Sequence, residues 1–224
     1  FITAGQAPGK AEMKQAAVSF GRLVERSGVE VRCHTPLTAE LIQEEKPDAV
    51  IAAIGSAPVA LKLPGSEKKM VCQANAVLEH EIEPEGDVCV IGGGLVGLET
   101  ADALAAAGHA VKVLEMKEKA GEDLGMLRKI AVMQKLGGEG VEIITSALCL
   151  EINETGVVVD TPEGKRTVAC DSVVLAVGSV SRDSSALREA CESAGIEFTV
   201  IGDAKQARRA IDAVAEGFEA ARSL

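Results

Sequence analysis

The chain has 224 residues, with 34 acidic side chains against 23 Lys and Arg and a net charge of −11. Nucleic-acid binding through Lys/Arg density is therefore not expected. The apolar runs, such as 173–177, are far too short to span a bilayer. With no Trp, no Tyr and four Phe, the core must come from Val, Ile, Leu and Ala, which suits parallel strands covered by helices.

In chain order, residues 10–27 carry Met13, Ala16, Ala17, Phe20, Leu23 and Val24 at helical spacing, and Gly28 stops that helix. A short strand is expected over 29–33. Thr38 caps a second helix, with Glu40 in its first turn, and Pro47 ends it. An apolar strand at 48–54 closes on Gly55-Ser56-Ala57-Pro58, and a linker covers 61–67. A short helix is expected over 72–80, then an acidic connection with Pro84.

A βαβ unit follows, with strand 87–91, helix 96–107 and strand 110–115. Next come a helix over 127–136, a strand at 141–145, and strands at 148–153, 157–161 and 166–170. The Pro162-Glu163-Gly164 turn marks a hairpin. A buried strand at 172–177, a helix at 184–194 and a strand at 198–201 lead to a last helix with Ile211, Val214, Ala215 and Phe218 on one face. The fold class implied is α/β: a Rossmann-like parallel sheet with antiparallel β hairpins.

Gly92, Gly94 and Gly97 form G-x-G-x-x-G around Leu95 and Val96. Gly92 permits the tight turn from strand to helix, Gly94 admits a pyrophosphate to the backbone, and Gly97 lets helix and strand pack closely. N–H groups at the helix N-terminus then face the anion. Alone the motif is a weak signal, equally a ligand-free glycine turn. Here it follows an apolar strand, opens an Ala-rich helix and precedes a strand ending in Glu115, next to Met116. A carboxylate there accepts from ribose hydroxyls and repels a 2′-phosphate, so NAD(H) is expected over NADP(H). Lys117 and Lys119 partly offset that repulsion. Glu99 sits in the first turns of the helix, where the dipole favours a carboxylate.

The six cysteines, Cys33, Cys72, Cys89, Cys149, Cys170 and Cys191, form no C-x-x-C. They read as structural thiols in a reducing, cytoplasmic compartment. His34, His80 and His109 stand apart from any motif, His109 at a helix end where it complements the last carbonyls. No catalytic nucleophile and no metal-ligand set is assigned.

The run 90–99, Val-Ile-Gly-Gly-Gly-Leu-Val-Gly-Leu-Glu, resembles the NAD-binding signature of flavoproteins with two dinucleotide-binding domains. Residues 52–58 and 175–179 resemble the paired loops that cross between their FAD and NAD domains, and 200–203 resembles their late Gly-Asp motif. With 1–10, 46–50 and 216–221, the whole chain is similar to the C-terminal half of NADH:flavin oxidoreductases of the 2,4-dienoyl-CoA reductase, enoate reductase and trimethylamine dehydrogenase type. That resemblance implies a partial FAD-type domain at 1–69, an NAD-binding domain at 70–171 and the rest of the FAD-type domain at 172–224. It places Glu99 at the nicotinamide carboxamide, Gly178 along the NAD, and Gly55, Gly202 and Asp203 on the FAD side. It also implies an N-terminal barrel with FMN and a 4Fe-4S cluster as partner, and a first FAD fingerprint upstream of Phe1. Ile54 and Val177 replace the usual Thr of the two loops, and Ser181-Arg182 replaces Arg-Pro. The activity implied is NADH-dependent flavin reduction. A stand-alone NADH oxidase and a nucleotide-binding module without turnover are the alternatives.

Overall fold

The structure, a computed structural model, describes residues 1–224. Its elements in chain order are α1 (Ala11–Arg26), α2 (Ala39–Glu45), β1 (Ala49–Ala52), β2 (Ser56–Pro58), β3 (Val71–Gln73), α3 (Ala74–Leu78), β4 (Val88–Ile91), α4 (Leu95–Ala106), β5 (Val111–Leu114), α5 (Met126–Gly138), β6 (Glu142–Ile144), β7 (Leu148–Asn153), β8 (Gly156–Thr161), β9 (Gly164–Ala169), β10 (Ser172–Leu175), β11 (Ser179–Ser181), α6 (Ser185–Ala194), β12 (Glu197–Val200) and α7 (Ala210–Ser223). They fall into two compact units, Phe1–Val29 with Ala60–Gly178, and Glu30–Val59 with Ser179–Leu224.

The first unit is built on a five-stranded parallel sheet of order β3-β10-β4-β5-β6. Strand side chains alternate between faces, and two cores result. Val88 and Val90 of β4, Val111 and Val113 of β5 and Val174 of β10 meet Leu98, Ala101 and Leu104 of α4 and Leu136 of α5. On the other face, Cys89, Ile91, Leu114, Val173 and Leu175 meet Ile152, Val157, Val159 and Val168. Those last four belong to an antiparallel three-stranded sheet, β7-β8-β9. The sheet is thus covered on both sides, which is why its strands read as unbroken apolar runs. None of the four Phe is among its fully buried side chains.

The second unit holds a parallel pair, β1 with β12, and an antiparallel pair, β2 with β11. Ile42 of α2, Val50 of β1 and Cys191 of α6 form its small core, with Leu187, Ala190, Ile196 and Phe198 against them. The Thr38 hydroxyl accepts the Leu41 N–H at 3.3 Å and starts α2 as expected.

Several expectations need correction. Residues 29–33 form no strand, being exposed and joined to no ladder. The expected helix over 72–80 is divided: Val71–Gln73 pairs with β10, and only Ala74–Leu78 is helical. Residues 56–58, expected to close the preceding strand as a turn, instead pair with 179–181, which continue from the expected strand end at Gly178-Ser179. The apolar stripe of α7 is present but exposed, at 74% for Ile211, 61% for Val214 and 66% for Phe218. The His109 ring meets the Gly86 carbonyl at 3.0 Å rather than the last carbonyls of its own helix. No helix is long and apolar enough to cross a membrane.

Candidate functional site: a glycine turn and its carboxylates

The turn between β4 and α4 is shaped by what its glycines exclude. Gly92 has φ +112°, and a Cβ on it would lie 2.4 Å from the Ala176 carbonyl oxygen. A Cβ on Gly97 would lie 1.9 Å from the Gly92 carbonyl oxygen and 3.3 Å from the Ala176 Cβ. These two glycines let α4 sit against the ends of β4 and β10. Gly94 differs: the atoms its Cβ would approach belong to one side chain, Asp123, with Oδ2 nearest at 3.3 Å. Leu95 and Val96 open the helix behind it, and Leu98 is fully buried beneath.

Glu115 follows β5 and turns its carboxylate back to the glycines. Its Oε2 accepts the Gly93 N–H at 2.8 Å and its Oε1 accepts the Lys117 N–H at 2.9 Å. The residue is 9% exposed. Each oxygen keeps a second lone pair for a further donor, the requirement for holding a ribose hydroxyl. Met116, beside it, is exposed. From here residues 116–125 strap across the turn: the Gly121 N–H donates to the Gly93 carbonyl at 2.7 Å, and Ala120 and Leu124 are buried in the helix-side core. Asp123 Oδ2 accepts the Leu95 N–H at 2.8 Å.

Glu99 lies on the second turn of α4, its carboxylate paired with Lys10 and Arg128 and its side chain only 13% exposed. Gly178, with φ +102°, follows β10 beyond Ala176. The structure therefore groups Gly92, Gly94, Leu95, Val96, Gly97 and Glu115 at the C-terminal ends of the interior strands β4 and β5, with Met116 exposed beside them. Gly55, Gly202 and Asp203 lie in the other unit. There the Asp203 carboxylate accepts the Arg208 N–H at 3.2 Å and the Ser56 hydroxyl at 3.4 Å. The Gly55 carbonyl accepts the Arg182 N–H at 3.1 Å, and the Gly202 N–H donates to Glu216 at 2.7 Å.

Asp123, Lys10 and Arg128 were missed by the sequence reading. Asp123 is 28 residues from the N–H it caps, and no local pattern links them. The one signal was its place between Gly121 and Gly125, in a stretch too rich in turn residues to be helix.

Two of the thiols, Cys149 and Cys89, are poor nucleophiles as placed. Burial, aided by the Glu115 charge, pushes Cys149 up to about 11. Its bond with Cys170, then burial, drive Cys89 well above the usual thiol range. All six cysteines are free.

Residues 11–208 match the family described as pyridine nucleotide-disulphide oxidoreductase. The chain belongs to that family. Membership implies FAD and NAD(P)H as cofactors, and a backbone cradle beside an acceptor carboxylate fits the nucleotide. The donor set of the second unit, a carboxylate and glycine turns, is compatible with a flavin's polar chain.

Among curated members with similar sequence, an NADH oxidase of Thermoanaerobacter brockii is 38% identical over 223 residues, covering 97% of this chain and 34% of the relative. A bilirubin reductase of Mediterraneibacter gnavus is 35% identical over 218 residues, again 97% of this chain and 34% of the relative. A solved 2-naphthoyl-CoA reductase, in complex with 2-naphthoyl-CoA, superposes with a TM-score of 0.89 at 24% identity, over 97% of this chain and 33% of that one. The chain thus spans about a third of the length of these proteins.

Proposed function

We propose that the chain is the NADH-binding electron-input module of a cytoplasmic flavoprotein oxidoreductase. The observation that carries this reading is the β4–α4–β5 unit, with its glycine turn closed by a carboxylate, Glu115, that accepts the Gly93 N–H. In this reading residues 70–171 are the NAD-binding domain, and 1–69 and 172–224 are parts of an FAD-type domain. Gly94, Leu95 and Val96 offer backbone N–H groups to the pyrophosphate, and Glu115 accepts the adenosine ribose hydroxyls and disfavours NADP(H). Glu99, neutralised by Lys10 and Arg128, borders the nicotinamide. Gly178 lies along the nucleotide, while Gly55, Gly202 and Asp203 serve the flavin. When bound, the nicotinamide and flavin supply the hydride and electron chemistry; the chain's residues bind and orient. In the whole protein electrons continue to an N-terminal barrel with FMN and an iron–sulfur cluster, and on to an enoate-type substrate.

Calorimetric titration tests the core of this reading. NADH binding at micromolar to millimolar concentration, weaker NADPH binding, and loss of both in Gly94→Val are expected; no NADH binding, or unchanged binding in the variant, refutes it. The likeness to an NADH oxidase supports a second reading, a stand-alone NADH oxidase. Oxygen uptake by the whole protein with NADH as sole substrate, without reduction of any enoate, favours that second reading.

A further inference from the structure

The helix terminus offered to a pyrophosphate is already capped by one of the chain's own anions. We infer that Asp123 competes with the pyrophosphate of a bound dinucleotide for the N-terminus of α4. The inference rests on the nucleotide-binding reading above and concerns how that site is regulated.

Three observations carry it. Asp123 Oδ2 holds the N–H of Leu95, the first residue of α4, at 2.8 Å. Its carboxylate fills the space in front of Gly94, the glycine at which the backbone must be approached: the three atoms nearest a Gly94 Cβ would all be Asp123 carboxylate atoms, at 3.3–3.8 Å. The strap bearing Asp123 is anchored on both sides, by the Gly121–Gly93 bond of 2.7 Å and by the buried Ala120 and Leu124. An anion so held gains from the helix dipole what a phosphate would gain. A pyrophosphate entering must take that N–H from Asp123 and displace a like charge.

The competent state is therefore the one with Asp123 turned away, and apparent affinity falls by the fraction of molecules in that state. The consequence is a site that binds dinucleotide weakly and releases it readily, with Asp123 returning to Leu95 as the product leaves.

Calorimetric titration of wild type, Asp123→Asn and Asp123→Ala with NADH, ADP and adenosine tests this. Relief of one competing charge is expected to tighten NADH and ADP binding roughly tenfold, about 1.4 kcal/mol. Adenosine, which has no phosphate, should be unaffected. Asp123→Asn keeps a cap for Leu95 without the charge, so it should retain a gain even if the Ala variant folds poorly. Equal or weaker ADP binding by the folded variants, or an equal gain for adenosine, overturns the inference while leaving the nucleotide site intact. If neither wild type nor variants bind NADH or ADP, the nucleotide-site reading fails and takes this inference with it.

Discussion

Gly97→Ala is the sharpest test of the turn. The added methyl would lie 1.9 Å from the Gly92 carbonyl oxygen, whereas ordinary contact begins at 3.4 Å, so about 1.5 Å must open between the first turn of α4 and the end of β4. The obstacle is backbone, with no flexible side chain to swing aside, and Ala176 Cβ blocks the neighbouring direction at 3.3 Å. Overpacking of a tight core costs about 1–3 kcal/mol, and a backbone carbonyl on one side with the Ala176 methyl on the other places this case near 3. For a chain of this size that corresponds to roughly 6–12 °C in melting temperature. Thermal denaturation read by circular dichroism, with parallel NADH titration, measures both consequences, because any shift of α4 also moves the Leu95 and Val96 amides. A variant that melts within 1 °C of wild type and binds NADH equally well refutes the close packing of α4 on β4.

Glu115→Gln must turn an amide NH2 toward one of the two backbone N–H groups that the carboxylate now accepts, costing about 1–3 kcal/mol of stability. It should also narrow the NADH-to-NADPH affinity ratio by roughly tenfold; an unchanged ratio in a folded variant removes Glu115 from nucleotide selection. Thr38→Ala deletes the cap of α2 and should lower stability by about 1 kcal/mol in denaturant titration, with NADH affinity unchanged. For the thiols, Cys149 is pushed up to about 11. Its raised value leaves it protonated near neutrality, so the thiolate fraction, and the intrinsic alkylation rate with it, should grow about tenfold per pH unit between pH 8 and 10. Mass spectrometry after brief iodoacetamide treatment should find exposed Cys33 labelled first and buried Cys89 last; fast labelling of Cys149 at pH 7 contradicts its placement.

How much of this was legible in the sequence follows from where each constraint lies. Gly92 and Gly97 could be read because no other residue fits their geometry, and Glu115 because it closes the second strand of the same unit. The β7–β8–β9 sheet could be read from alternation and from the Pro162-Glu163 turn before Gly164, whose φ is +109°. The three-residue strands could not. Val71–Gln73, Ser56–Pro58 and Ser179–Ser181 are too short to show a period, and each exists only because a distant segment offers it a ladder. Residues 29–33 carry the alternation of a strand but have no ladder to join. The stripe of α7 could be read as helical from its spacing, yet spacing does not say what covers it.

Asp123 shows the same limit at the site. A βαβ fingerprint describes the residues that must be small or must reach a ribose; it is silent on the loop that follows the second strand, whose length and path differ freely. Here that loop brings a carboxylate to Leu95, as Glu115 comes to Gly93 and Glu216 to Gly202. A backbone N–H at a glycine turn needs an acceptor when no ligand is present, and a chain with a net charge of −11 has carboxylates to supply it. The three then differ in what a nucleotide must do. In the proposed reading Glu115 can stay, because ribose hydroxyls would donate to it. Glu216 is itself held by Arg208 and Lys205, which lower its tendency to take a proton. Asp123 has its carboxylate on the N–H that the proposed reading offers to the pyrophosphate, so of the three it is the one whose removal should strengthen nucleotide binding rather than weaken it.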